Sequence, residues 1–123
     1  QRTVVLFLIF QALSGVITSI FTQVQHNTAD AIGGELIEDP LVRQFLSSSD
    51  VGSSRRLWWW ISGGATLHVA HHLLPQLSFL EAPGATLRLR KHLDEVGVAF
   101  PAYPNMRRAL SAHRALLRHL AVS

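Results

Sequence analysis

Gly63-Gly64-Ala65-Thr66-Leu67-His68-Val69-Ala70-His71-His72-Leu73-Leu74-Pro75 holds three of the chain's seven histidines within five residues. The stretch predicts a helix from about Gly64 to Leu74, because Pro75 disfavours helical geometry at the residue before it. On such a helix positions i, i+3 and i+4 share a face, so the imidazoles of His68, His71 and His72 are expected to point the same way. Three crowded rings are costly unless something draws their lone pairs to one point. A metal ion does that, and neutral imidazole is a ligand for iron, zinc and copper alike. The competing reading is a cluster satisfied by hydrogen bonds or solvent.

Residue types narrow the chemistry. The chain has no cysteine, which excludes disulfides and thiolate metal sites. A zinc-peptidase motif needs Glu directly after the first His of a His-x-x-x-His pair, and Val69 stands there instead. No carboxylate lies between His68 and His72. The local ligand set is therefore all nitrogen, unlike the soluble di-iron bundles built on Glu and Glu-x-x-His.

Toward the N-terminus, residues 4–21 (VVLFLIFQALSGVITSIF) carry no charge. As a helix they span about 27 Å, close to the roughly 30 Å hydrocarbon core of a bilayer. A transmembrane helix is predicted, with Gln11, Ser14 and Gly15 suited to a face packed on neighbouring helices. A signal peptide fits less well: the apolar run is long, only Arg2 precedes it, and no small-residue cleavage site follows cleanly. A buried helix of a soluble domain is the plainer alternative. Hydrophobic residues make up 48% of the chain and charged ones 15%, an apolar balance for a small soluble domain. The chain opens on Gln1 directly before the apolar run, so its 123 residues are expected to be part of a longer protein.

His26 and Asn27 fall where this segment should emerge into water. Asp39-Pro40 marks a turn, Ser47-Ser48-Ser49-Asp50 and Gly52-Ser53-Ser54 read as loop, and Leu41, Val42, Phe45 and Leu46 give a short amphipathic turn between them. Arg55-Arg56 followed by Trp58-Trp59-Trp60 reads as an anchor at the headgroup level. Three core tryptophans fit less well, since adjacent helical residues point in different directions. After the histidines, one helix is predicted from Pro83 to Gly97. Another runs from an Asn105 cap to Ala121, with Met106, Leu110, Leu117 and Leu120 as its apolar stripe. Arg88, Arg90, Lys91, Arg107, Arg108, Arg114 and Arg118 supply seven of the eleven positive charges, all in this part. That bias favours a cytoplasmic location and contact with anionic headgroups. Nothing resembles a groove-reading motif or a base-stacking platform, so no nucleic-acid partner is expected. His92, His113 and His119 are isolated on helices and read as surface or packing residues.

The string GGATLHVAHHLLP resembles the third histidine box of the membrane-bound fatty acid desaturases, nearest to the acyl-lipid front-end branch. There two glycines, three residues, Gln or His, two residues, His-His, Leu, a variable residue and Pro recur in that order. The likeness continues through Pro83, Glu95-Val96-Gly97-Val98, Ala102-Tyr103-Pro104 and Ala109-Leu110-Ser111-Ala112-His113, and so covers most of the chain after about residue 60. Front-end enzymes usually carry Gln where this chain has His68, and often Glu where it has Ala70. These departures leave the position of the double bond unread.

The resemblance implies an all-α fold, the C-terminal portion of a desaturase domain: a transmembrane helix over 4–21, then a cytosolic or interfacial part over 22–123 carrying the third box. It implies an integral membrane enzyme, of the endoplasmic reticulum if eukaryotic, with the box and C-terminus on the cytoplasmic side. Such an enzyme uses dioxygen to remove two hydrogens from an acyl chain and leave a C=C bond. Two non-haem irons are the implied cofactors, an acyl lipid or acyl-CoA the substrate, and cytochrome b5 or ferredoxin the electron donor. His68, His71 and His72 are the implied iron ligands, with no catalytic residue beyond the ligands. In these enzymes a histidine outside the boxes completes the set, and His26 resembles it by position; a capping or solvent-facing histidine is the alternative. The first two boxes, His-x(3–4)-His and His-x(2–3)-His-His, are absent, so this chain alone is expected to be incompetent. A histidine-box hydroxylase or ketolase is the near rival. A non-catalytic module whose basic helices bind anionic lipid is the distant one.

Overall fold

The computed structural model describes residues 1–28, 31, 37–52 and 56–122. Its first element, α1 (Arg2–His26), is a 25-residue helix. Apolar side chains stand exposed along it, Leu6 at 65% and Phe10 at 63%, and only Val24 and Gln25 in the last turn are buried. A helix in the core of a soluble domain hides its apolar stripe. This one hides almost nothing, and it is long and apolar enough to cross a membrane.

The last turn of α1 enters the folded part. There Val24, Val51 and Ala109 form a small buried core, with Tyr103, Met106 and Leu110 packed against it. Helix α2 (Pro40–Leu46) starts as its sequence dictates. Asp39 caps it by accepting from the N–H groups of Leu41 at 2.8 Å and Val42 at 3.3 Å, and Pro40 fills the first turn. The Ser-rich stretch after α2, predicted as loop, ends in strand β1 (Asp50–Val51). It pairs in parallel with β2 (Ala102–Tyr103), Asp50 opposite Ala102. These two-residue strands are the only ones among the described residues, and the rest of the regular structure is helical as predicted.

Helix α3 (Arg56–Ile61) carries the tryptophans. Trp58 and Trp60 are exposed, while Trp59 is buried and stacks on Phe79 with ring centroids 4.1 Å apart. The adjacent residues do diverge, one inward and two outward; Arg55 of the proposed anchor, like Ser53 and Ser54 of the predicted loop, lies outside the described residues. The glycine pair does not start the next helix as expected. Gly63 and Gly64 both have positive φ, +60° and +89°, and close α3 by hydrogen bonding to Trp60 and Trp59. The box helix α4 is consequently shorter than predicted, His68–Leu73.

Helix α5 (Ala82–Glu95) begins with Pro83 in its first turn and gives way at Gly97, φ +73°. Helix α6 (Met106–Leu120) is capped by Asn105, whose side chain accepts from Arg108 N–H at 3.0 Å. Its buried residues are Ala109 and Leu116, whereas Leu117 and Leu120 of the predicted stripe are exposed. The N-terminal part of the predicted stripe, Met106 and Leu110, does pack on the core beside Ala109; the C-terminal part does not.

Candidate metal centre

Helix α4 turns about 100° per residue, so His72 lies about 40° to one side of His68 and His71 about 60° to the other. The end of α1 comes up on the His72 side. There His26, His68 and His72 bring their Nε2 atoms together: 2.7 Å between His26 and His68, 3.0 Å between His68 and His72, and 3.2 Å between His26 and His72. These three form a group that could hold one metal ion. His71 is exposed and stands outside it, its ring centroid 6.0 Å from that of His68 and 5.9 Å from that of His72. The remaining histidines go elsewhere. His113 Nδ1 hydrogen bonds the Asn27 carbonyl at 2.6 Å, and His92 lies 3.9 Å from Glu95 on the surface.

Two of the three rings have their tautomer fixed from outside. The Ser47 carbonyl can only accept, so His26 Nδ1 donates to it at 2.9 Å. His72 Nδ1 donates to Gln44 Oε1 at 3.1 Å. Each Nε2 is then left as a lone pair, and the two face each other. A proton on His68 Nε2 can serve one of them, not both. A cation between them serves all three.

The spacing fits one ion. Three nitrogens about 2.1 Å from an ion and at right angles lie about 3.0 Å apart, against about 3.4 Å for a tetrahedron. The observed separations, 2.7 to 3.2 Å, are short enough for the three nitrogens to share one ion, which would still need ligands from elsewhere to complete its coordination.

Electrostatics agree with the geometry. Burial, and then the neighbouring His26, His72 and His71, push His68 down to about 3, so it stays neutral and able to ligate. Burial also lowers His72, with His26 and His71 adding to it. Beneath them lies Asp50, fully buried, whose Oδ1 accepts from Val69 N–H at 3.0 Å in the first turn of α4. Its Oδ2 pairs with Arg90 Nη2 of α5 at 3.2 Å, and the Arg90 guanidinium lies 4.3 Å over the Phe100 ring. Burial raises the Asp50 carboxyl to about 6, against the pull of the Val69 N–H and Arg90. Sequence reasoning passed over Gln44, Ser47, Asp50 and Arg90, which lie in no motif; a buried-carboxylate role is invisible in a Ser-Ser-Ser-Asp loop.

The family model for fatty acid desaturases matches residues 2–104, from α1 through β2, and so takes in His26, His68, His71 and His72. The chain belongs to the fatty acid desaturase family. A relative of this desaturase chain is the acyl-lipid (8-3)-desaturase of Physcomitrium patens, 28% identical over 125 residues that cover 96% of the chain and 26% of the relative. The chain thus spans about a quarter of that protein's length. No solved structure matches it.

Proposed function

We propose that this chain is the C-terminal portion of a membrane fatty acid desaturase, an oxidoreductase that introduces a C=C bond into an acyl chain carried by lipid or CoA. The observation that carries the reading is the meeting of three Nε2 lone pairs from His26, His68 and His72, in a chain of the desaturase family. These three would hold one iron. His71, exposed beside them, is free to serve a second, with the remaining ligands from the first two boxes of the whole protein. Bound iron supplies the means to activate dioxygen against an unactivated methylene. The histidines orient it, and Asp50 and Gln44 hold the histidines.

Helix α1 crosses the bilayer over residues 4–21, and His26 at its end puts the metal just outside the hydrocarbon. The box and the basic residues of α5 and α6 face the cytoplasm, of the endoplasmic reticulum if the source is eukaryotic. Electrons come from cytochrome b5 or ferredoxin. The test is product analysis by the full-length protein in membranes with its electron donor. A new double bond in the acyl chain is expected, absent in His72→Ala. A hydroxylated or ketone product, or no product dependence on His72, overturns the reading.

A further inference from the structure

One short stretch, Gln44-Phe45-Leu46-Ser47-Ser48-Ser49-Asp50, reaches all three histidines of the cluster. The Gln44 side chain holds His72 Nδ1, the Ser47 carbonyl holds His26 Nδ1, and Asp50 holds the first turn of α4 that carries His68. The stretch is itself tied down. Ser48 Oγ donates to the Gln44 carbonyl at 2.7 Å, Ser49 N–H donates to the Gln25 carbonyl at 2.9 Å, and Asp50 N–H donates to the Pro101 carbonyl at 3.0 Å. Ser48, Ser49 and Asp50 are all buried. Loops seldom bury consecutive polar residues without a structural reason, because each needs its partners.

We propose that residues 44–50 are the positioning element of the metal centre: Gln44 and Ser47 select the imidazole tautomers that present Nε2, and Asp50, braced by Arg90, sets the place of His68. The inference rests on the iron reading above. Hydrogen bonds to the second ring nitrogen fix ligand orientation and basicity in metal sites generally, and their loss costs about 10–100-fold in affinity. Gln44 is the discriminating residue. It is exposed, so its truncation removes no core packing. Its side-chain oxygen accepts from His72 Nδ1.

The experiment is a titration of ferrous iron into the metal-free, full-length protein in detergent, with melting temperature measured in parallel. Gln44→Ala should bind iron about tenfold to a hundredfold more weakly with an unchanged metal-free melting temperature. Gln44→Glu, which restores an acceptor for the imidazole N–H, should recover most of that affinity. Asp50→Asn, which keeps an oxygen for Val69 N–H, should lose less than Asp50→Ala. Wild-type affinity in Gln44→Ala, with His72→Ala binding less iron than the wild type, overturns the proposal and leaves the iron reading standing. So does a loss in Gln44→Ala that follows a lower melting temperature and that Gln44→Glu does not rescue. Iron binding by neither wild type nor His72→Ala overturns both.

Discussion

His26 and His68 lie 42 residues apart in the chain, yet their Nε2 atoms are 2.7 Å apart. Neither side chain gets there alone. The end of α1 is fastened to the turn before α4 through Gln25, whose side-chain amide donates to the Ala65 carbonyl, and to the stretch before β1 through Ser49, whose N–H donates to the Gln25 carbonyl. The helix that leaves the folded part as a long apolar rod therefore delivers His26 to the box at its other end.

That junction makes the glycine turn before the box sensitive to substitution. A Cβ at Gly64 would lie 2.8 Å from Phe79 Cδ2, at φ +89°, whereas at Gly63 it meets nothing within 4 Å and only φ +60° opposes it. Gly63→Ala should cost about 1 kcal/mol, and Gly64→Ala more, because Phe79 must also leave its stack on Trp59. Melting temperatures of the two variants in detergent check the order.

The Asp50–Arg90 pair joins a buried carboxylate to a guanidinium that is 33% exposed. Arg90→Ala removes the partner that favours the charged carboxyl, so Asp50 should rise above its present value of about 6 and take up a proton at neutral pH, at a cost of about 1–3 kcal/mol. The double variant Asp50→Asn/Arg90→Gln removes both charges and should be milder than Arg90→Ala alone, which a double-mutant cycle of melting temperatures measures.

Much of this was legible in sequence, for identifiable reasons. The uncharged run over 4–21, the Pro83 and Asn105 helix starts and the HVAHH spacing are local signals, and the helices stand where those signals put them, except that Gly63 and Gly64 hold the start of α4 back to His68. His26 was legible only through resemblance, since nothing local marks it. The box itself was read too symmetrically: three histidines at i, i+3 and i+4 cover about 100° of helix surface, and the end of α1 meets one side of that arc. Gln44 and Asp50 carried no signal, because their roles depend on partners 28 and 19 residues away. The α6 stripe holds at Met106 and Leu110 and fails at Leu117 and Leu120, because helical period marks a face but not how far along the helix that face finds a partner.

Membrane attachment should survive disruption of charge. Alkaline or high-salt washing of membranes should leave the full-length protein in the pellet, because α1 is held by apolar burial rather than by its basic helices. Release by either wash contradicts a spanning α1.

At His68, where front-end desaturases usually carry Gln, the substitutions should grade. An amide oxygen can still coordinate, though imidazole nitrogen is the better ligand. His68→Gln should keep measurable desaturation in the full-length protein and His68→Ala almost none. Equal loss in both would show that Gln does not substitute here, and full activity in both would remove His68 from the ligand set.

Iron stoichiometry decides whether His26, His68 and His72 share one metal ion. The full-length protein should be purified with its iron alongside His26→Ala, His68→Ala, His72→Ala and the surface variant His92→Ala, and iron per polypeptide determined. Two irons are predicted for the wild type and His92→Ala, with at least one lost in each of the other three. Retention of wild-type iron in His26→Ala, His68→Ala and His72→Ala would mean that these three histidines hold no shared ion.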